Sequence, residues 1–445
     1  MKDLVIPYPE KSAKGAHLAL KSLFARTTFF ALRNAFVAAG VRILIGIVKR
    51  IGKGELRWIV LKPVLKEIFS LDPLKWGFIF GSLVCFSLLK EIIRKLGCLC
   101  RVPEKVASAL AASICSLPVL VLNKETRTDL CLYVLVRALH SFAVGHILPL
   151  LPRPLREFQY YDIVVMCLSA SQILYGVVFA PFSLPSSYQR FLSKASMLDN
   201  RLVRGHAGLA RYQLTPELVE LCMERGIKVP QSAREHFSIG CLLTHPGMTC
   251  NTFFLRFIGR NMIQVGLPLY TPLTLGKLIL YQRKKLRNQP FELLQNSVRS
   301  VLSSALFLAL YAASSVRFAC FFAQGNIRGG FFFAIFCSMA GIATLLEPKG
   351  RRMDLSLYCF MYALRSFFMT QYRLGWIPYP RHKGICLLYV TSLGFLTYQF
   401  DQEPDKLNPR LYGYLSKLFP VMQLERGMKE KTCGSVDSMG MLDEQ

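Results

Sequence analysis

A fourteen-residue stretch occurs twice in this chain. Asp129-Leu-Cys-Leu-Tyr-Val-Leu-Val-Arg-Ala-Leu-His-Ser-Phe142 returns as Asp354-Leu-Ser-Leu-Tyr-Cys-Phe-Met-Tyr-Ala-Leu-Arg-Ser-Phe367. Eight of the fourteen positions are identical, and other echoes keep nearly the same offset. Gly77-Phe-Ile-Phe-Gly81 lies opposite Ser300-Val-Leu-Ser-Ser304. Tyr188-Gln-Arg-Phe-Leu-Ser-Lys194 lies opposite Tyr412-Gly-Tyr-Leu-Ser-Lys417, and Thr28-Phe-Phe30 opposite Thr252-Phe-Phe254. Their order is preserved. The chain therefore reads as two copies of one module, and each copy must fold on the same plan.

The module is apolar. Of 445 residues, 52% are hydrophobic and only 18% charged, against about 25% charged in soluble domains. Uncharged runs occupy residues 106–123, 163–180, 300–316, 329–346 and 384–400. A helix crosses a bilayer core with about 20 mostly apolar residues, so these runs predict an all-α integral membrane protein. The formal net charge of +28 sits in the connections, around residues 49–57, 90–101, 153–157, 283–287, 349–352 and 381–383. Basic clusters beside spans set topology and attract anionic headgroups. No nucleic-acid motif accompanies them, so the expected partners are membrane lipids and membrane proteins, not nucleic acid. Met1–Glu10 lacks the apolar core of a secretory signal, and residues 11–53 hold basic residues without an acid. An organelle membrane reached without a cleaved leader is the expectation.

The organisation read from the chain is a polar N-terminal segment at 1–26, a first membrane repeat at 27–194, a hydrophilic linker at 195–248, a second repeat at 249–420 and a disordered tail at 421–445. Within the linker, Thr215-Pro-Glu-Leu-Val-Glu-Leu-Cys-Met-Glu-Arg-Gly226 carries an N-cap, a proline at the first helical position and a closing glycine. It predicts one short helix. Each repeat holds four apolar helices, preceded by an amphipathic or fifth helix. Eight or ten spans follow, depending on that helix. Five spans per copy would invert the repeats relative to one another, and four would keep them parallel.

Four groups of residues stand out. Gly77 with Gly81, and Ser300 with Ser304, are small-xxx-small pairs that let helix backbones approach closely; intramolecular packing is their expected use. Arg137, His140 and Arg365 lie within apolar helices, where ionisable groups are costly and mark polar paths or headgroup contacts. Cys241, His245 and Cys250 have zinc-compatible chemistry, but structural zinc takes four ligands, usually in CxxC-like pairs. A metal would need Cys222 or His236 as its fourth ligand. Packing or a Cys241–Cys250 disulfide is the expectation, with no metal and no cofactor. Cys320 and the other cysteines of the apolar runs read as small buried hydrophobes. No Walker loop, GxSxG, HExxH or dinucleotide fingerprint occurs, and no carboxylate accompanies His140 or His146 in sequence. The chain is not expected to be an enzyme.

These residues resemble a known family. Cys241, His245-Pro246 and Cys250, followed by Gly266-Leu-Pro-Leu-Tyr270, resemble the cysteine-rich region of the transmembrane protein 135 family. Ser356-Leu-Tyr358, Gly375-Trp-Ile-Pro-Tyr-Pro380 and the stretch from Pro409 through Tyr412 resemble its late helices. The resemblance covers most of residues 75–420, although the family's region holds more cysteines and spaces them differently. It implies a multi-pass protein of peroxisomal or mitochondrial membranes concerned with lipid homeostasis, lipid distribution and organelle dynamics. It also implies a distant likeness to the four-helix Tim17, Tim22 and Tim23 translocase subunits, so that the fold becomes a tandem duplication of a Tim17-like four-helix unit. The expected function is that of a lipid transporter or adaptor. The alternative is a scaffold or translocase component acting on proteins.

Overall fold

The computed structural model describes residues 13–51, 70–96, 102–209, 213–229, 233–282, 287–324, 329–378 and 382–421. The expected disordered tail, beyond Val421, lies outside them. Among these residues every regular element is a helix. The first, α1 (Ala13–Ile51), is continuous, so it takes in half of the segment expected to be a polar entry. The next apolar stretch divides into α2 (Leu71–Val84) and α3 (Phe86–Leu96), bent by 45°. Helix α4 (Glu104–Ser116) tightens into a 3-10 stretch, Leu117–Val121, at Pro118. Helix α5 (Lys124–Phe142) runs on through a π-helical turn, Ala143–Ile147. Helices α6 (Tyr161–Phe179) and α7 (Ser186–Ser196) follow, separated by Pro181 and Pro185, which cannot supply the backbone N–H groups of a continuous helix.

The region expected to be a linker with one helix holds three: α8 (Asn200–Leu209), α9 (Pro216–Glu224) and α10 (Ala233–Thr244). They enclose a core of Leu202, Leu209, Leu218, Leu221, Cys222, Ile239 and Leu243. The apolar residues are few, so hydropathy reads the segment as solvent-facing. Placed at helical spacing, they suffice to bury one face of each helix. Arg201 ties the base together through Asp199 and a bidentate contact to Glu224, both nitrogens at 2.8 Å.

After it come α11 (Cys250–Asn261), a π turn (Met262–Gly266), α12 (Leu267–Tyr281) with Pro272 inside it, and the long α13 (Pro290–Gln324). Helix α14 (Gly330–Ser338) ends, like α4, in a 3-10 stretch, here Met339–Leu346. Helices α15 (Lys349–Arg373), α16 (His382–Gln402) and α17 (Pro409–Leu418) complete the chain.

The compact units do not follow the borders of the sequence repeats. One unit comprises Met1–Arg156 together with Pro380–Gln445; the other is Glu157–Tyr379. The last two helices of each repeat are thus built into the unit formed by the other. In the first unit, α16 packs on α4 and α5, and Tyr389, Leu393 and Phe400 of α16 share a core with Ile79, Ala111, Ala112, Cys115 and Val134. In the second unit, α6 takes the matching place against α14 and α15, with Met166, Ala170 and Ile173 packed on Ala340, Ala343, Cys359 and Ala363.

Four helical stretches among the described residues are long and apolar enough to cross a bilayer: Glu104–Val121, Lys124–Leu150, Tyr161–Phe179 and Pro290–Phe321. The bent pair α2–α3 would make a fifth. This is fewer than the eight or ten expected: Gly330–Leu346 is short, and α15, with Arg365 and several polar side chains in its run, and α16 are long enough but not apolar enough. Outward faces of the apolar helices stay apolar: Leu110, Ile114, Leu117 and Leu120 in the first unit, and Phe331, Phe332 and Ile335 in the second, are all exposed. Surfaces of that kind belong against lipid or a partner rather than water.

Candidate functional site

The small-residue pairs act as contact points. A Cβ on Gly77 would stand 3.0 Å from the Ala35 carbonyl oxygen, and one on Gly81 3.2 Å from that of Ala31. The glycines therefore seat α2 on α1, within one repeat. In the second unit, Ser304 is buried and Ser300 accepts a hydrogen bond from Arg351 at 3.0 Å. The close approach there falls one residue on, where Gly266 meets the Ala305 backbone.

Arg137 and His140 belong to the first unit and Arg365 to the second. All three are half-buried, and Arg137 lies over the ring of Tyr133 at 5.3 Å. The carboxylate missing from the sequence neighbourhood of the histidines arrives from the residue that follows α16: Glu403 is 3.6 Å from His146. Buried Gln399 accepts from Ser141 at 2.6 Å and lies 3.5 Å from His146. Because these partners are more than 250 positions away in sequence, spacing could not find them.

The second unit contains a cavity of about 560 Å3, within the roughly 300–1,000 Å3 range of small-molecule sites. Helices α6, α7, α12, α13, α14 and α15 wall it. Its interior is formed by Met166, Leu174, Leu269, Phe307, Leu308 and Phe333, and among the described residues no Lys, Arg, Asp or Glu lines it. Hydroxyls interrupt the apolar lining, among them those of Ser193, Ser196, Tyr188, Tyr311, Tyr358 and Tyr362. Tyr188, the first residue of a repeated motif, stacks on Tyr362 with centroids 3.9 Å apart, and Tyr362 meets the Tyr358 hydroxyl at 3.3 Å. None of Arg137, His140 and Arg365 lines this cavity.

His206 of α8 also lines it and donates from Nδ1 to the Leu202 carbonyl at 2.7 Å. Burial holds its pKa below the ordinary 6.5, partly offset by that bond. The folded state thus binds fewer protons than the unfolded state in the window below 6.5. Stability in that window rises with pH and is lost as pH falls. Acidification through 6.5 should therefore raise amide exchange across α8–α10 in the wild type, and a His206→Gln variant should flatten the dependence.

The cysteine cluster is more complete than the sequence suggested. Cys241 and His245 lie one turn apart at the end of α10, the His245 N–H bonding the Cys241 carbonyl at 2.9 Å. Gly247, at φ +68°, reverses the chain. Thr249 caps α11 by accepting from the Thr252 N–H, which puts Cys250 in the first turn. The fourth member is Cys320, from α13. Ligand atoms of all four residues lie within 4.8 Å of one another. His245 and Cys320 are buried, Cys241 and Cys250 half-buried. The Cys241 thiol is drawn down to about 6, first by its hydrogen bond with Cys320 and then by His245, against the opposing effect of burial. Burial and the neighbouring Cys241 push Cys250 up. Cys222, a candidate fourth ligand on sequence grounds, is instead packed among the leucines of the α8–α10 core. The side chain of His236 lies outside the described residues. No disulfide joins the described cysteines.

Neither a family model, nor a curated protein, nor a solved structure matches this chain.

Proposed function

We propose that this is a duplicated, multi-pass membrane protein that handles lipids by lodging an acyl chain in the cavity of its second unit. The cavity carries the reading. It is lined by aliphatic and aromatic side chains, free of Lys, Arg, Asp and Glu among the described residues, and supplied with hydroxyls. Such a lining suits a hydrocarbon tail with an uncharged polar end. It offers no counter-charge for a phosphate or carboxylate inside. The four apolar helices and their outward apolar faces support a membrane setting. Matched elements support the duplication, since α4 and α14 both end in 3-10 turns and α16 and α6 pack alike on them. The sequence resemblance to the transmembrane protein 135 family supports a peroxisomal or mitochondrial membrane and a role in lipid distribution without catalysis.

The test is lipid binding. Delipidated protein in detergent should take up a pyrene-labelled diacylglycerol. Leu308→Trp, which fills the cavity from α13, should weaken uptake about tenfold or more. Leu302→Trp, at an exposed site on the same helix, should leave it unchanged. Uptake by wild type and Leu308→Trp alike would sink the proposal, as would no uptake by a wild-type protein that remains folded.

A further inference from the structure

We propose that Cys241, His245, Cys250 and Cys320 bind one zinc ion as a structural Cys3His centre that clamps α10, α11 and α13 together. The donor set is the first argument. Three thiols and an imidazole nitrogen converge with every pairwise ligand-atom separation under 4.8 Å. Zinc bound tetrahedrally, with Zn–S about 2.3 Å and Zn–N about 2.0–2.1 Å, places S···N pairs roughly 3.6 Å apart and S···S pairs roughly 3.8 Å apart. The His245 Nε2 lies 3.3 Å from Cys250 Sγ and 3.7 Å from Cys320 Sγ. These two separations are within about 0.3 Å of the tetrahedral S···N value, and the remaining pairs, all within 4.8 Å, leave room for an ion of that size.

The surroundings are those of a ligating histidine. A carbonyl oxygen can only accept, so the 3.0 Å contact between His245 Nδ1 and the Met248 carbonyl fixes the proton on Nδ1. The Nε2 lone pair then faces the sulfurs, the arrangement by which proteins orient a metal-bound imidazole. The ring is held from the side by Phe253, with centroids 5.1 Å apart.

Charge supplies an independent argument. Three thiolates around Zn2+ leave a net charge of minus one. Arg317, one turn before Cys320 on α13, lines the same cleft as Cys241, His245 and Cys250. Its Nη2 donates to Asn251 at 3.1 Å, while its Nη1 is buried with no hydrogen-bond partner among the described residues. A half-buried guanidinium with one buried, unpartnered nitrogen beside three thiols matches an anionic metal–thiolate centre, whereas beside neutral thiols that nitrogen would be a cost. A disulfide would use two of the sulfurs and leave the third, with the imidazole lone pair, unexplained. Soft sulfur and imidazole donors in a tetrahedron select zinc over hard cations.

Full-length protein purified in detergent without chelator should carry about one zinc per chain by elemental analysis. Cobalt substitution should give the thiolate charge-transfer and intense visible bands of a tetrahedral site. Cys320→Ser should lose the metal. His245→Cys, which restores four ligands, should keep it, and so should Cys222→Ser, whose thiol lies elsewhere. Arg317→Gln should retain the metal with affinity about 10–100-fold lower by chelator competition. Wild-type protein without zinc, copper or iron in its place, or a disulfide among the three cysteines after rapid thiol blocking would each overturn the proposal. So would a Cys320→Ser protein that holds zinc as tightly as wild type.

Discussion

Gly341→Val is expected to destabilise the second unit by about 3 kcal/mol or more. Gly341 lies in the 3-10 stretch that ends α14, where the chain crosses α6. A Cβ there would stand 2.6 Å from both the Cα and the backbone nitrogen of Cys167, and 2.8 Å from its sulfur. Backbone atoms of a packed helix cannot swing aside as a side-chain terminus can. To accommodate even one methyl, α6 must move off α14, and with it Met166, Ala170 and Ile173 leave Ala340 and Ala343. Loss of those contacts exposes Cys337 and Cys359, both buried, so thermal unfolding followed by thiol labelling reads the effect directly. Gly259 supplies the contrast. It is an exposed helical glycine with nothing within 4 Å of its would-be Cβ, and Gly259→Ala should be neutral or stabilise by up to about 1 kcal/mol. Equal melting temperatures for Gly341→Val and wild type would show that α6 does not pack on α14 as described.

That contact also marks where the sequence stops being informative. Helix class and most helix positions were legible, because uncharged runs and the prolines between them are local signals. The proposed duplication rests on local signals as well, motifs such as Asp129–Phe142 and the Tyr188 and Tyr412 stretches. Which helix packs on which was not. Repeats that share a plan present nearly the same face to either partner, so nothing in the α6 or α16 sequence distinguishes docking within its own copy from docking on the other. The small helical core of α8–α10 was missed for a different reason. Seven apolar side chains at helical spacing are diluted below notice by the charges on the opposite faces.

The candidate sites divide along the same line. Cys241, His245 and Cys250 fall within ten residues and were legible as a cluster. Cys320 was not, since an apolar run disguises a ligand as a small hydrophobe. Of the cavity, the sequence marks Tyr188 and Tyr358 only as repeated positions; that they and Tyr362 line one cavity follows from α7 lying against α15. Glu403 beside His146 and Asp401 beside Lys90 are further cases in which chemistry depends on a helix pairing that no local pattern encodes.

Asp401→Ala is the second large effect, and it tests that helix pairing. Asp401 closes α16, and its Oδ2 lies 2.5 Å from Lys90 Nζ of α3 while accepting from Ser108 of α4 at 2.9 Å. Lys90 and Asp401 side chains are only 17% and 14% exposed, whereas Glu104, the other carboxylate on Lys90 at 3.0 Å, is 53% exposed. Glu104 therefore cannot fully replace the lost charge. Removing one member of a buried pair leaves the other uncompensated, at about 3–5 kcal/mol. The expected loss for Asp401→Ala is about 3 kcal/mol, at the lower end because Glu104 remains. Asp401→Asn should cost less, as it keeps an acceptor for Ser108. The double variant Lys90→Met with Asp401→Leu should recover most of the loss, since a well-packed apolar pair often matches a buried ion pair. A double-mutant cycle at these positions should give a coupling of about 1–3 kcal/mol, and salt should change it little because the pair is shielded from solvent. The cycle links residues 311 positions apart, one in the first repeat and one in the second. Zero coupling would mean that α16 does not enter the unit built by the first repeat, and the exchange of terminal helices between the repeats would have to be abandoned.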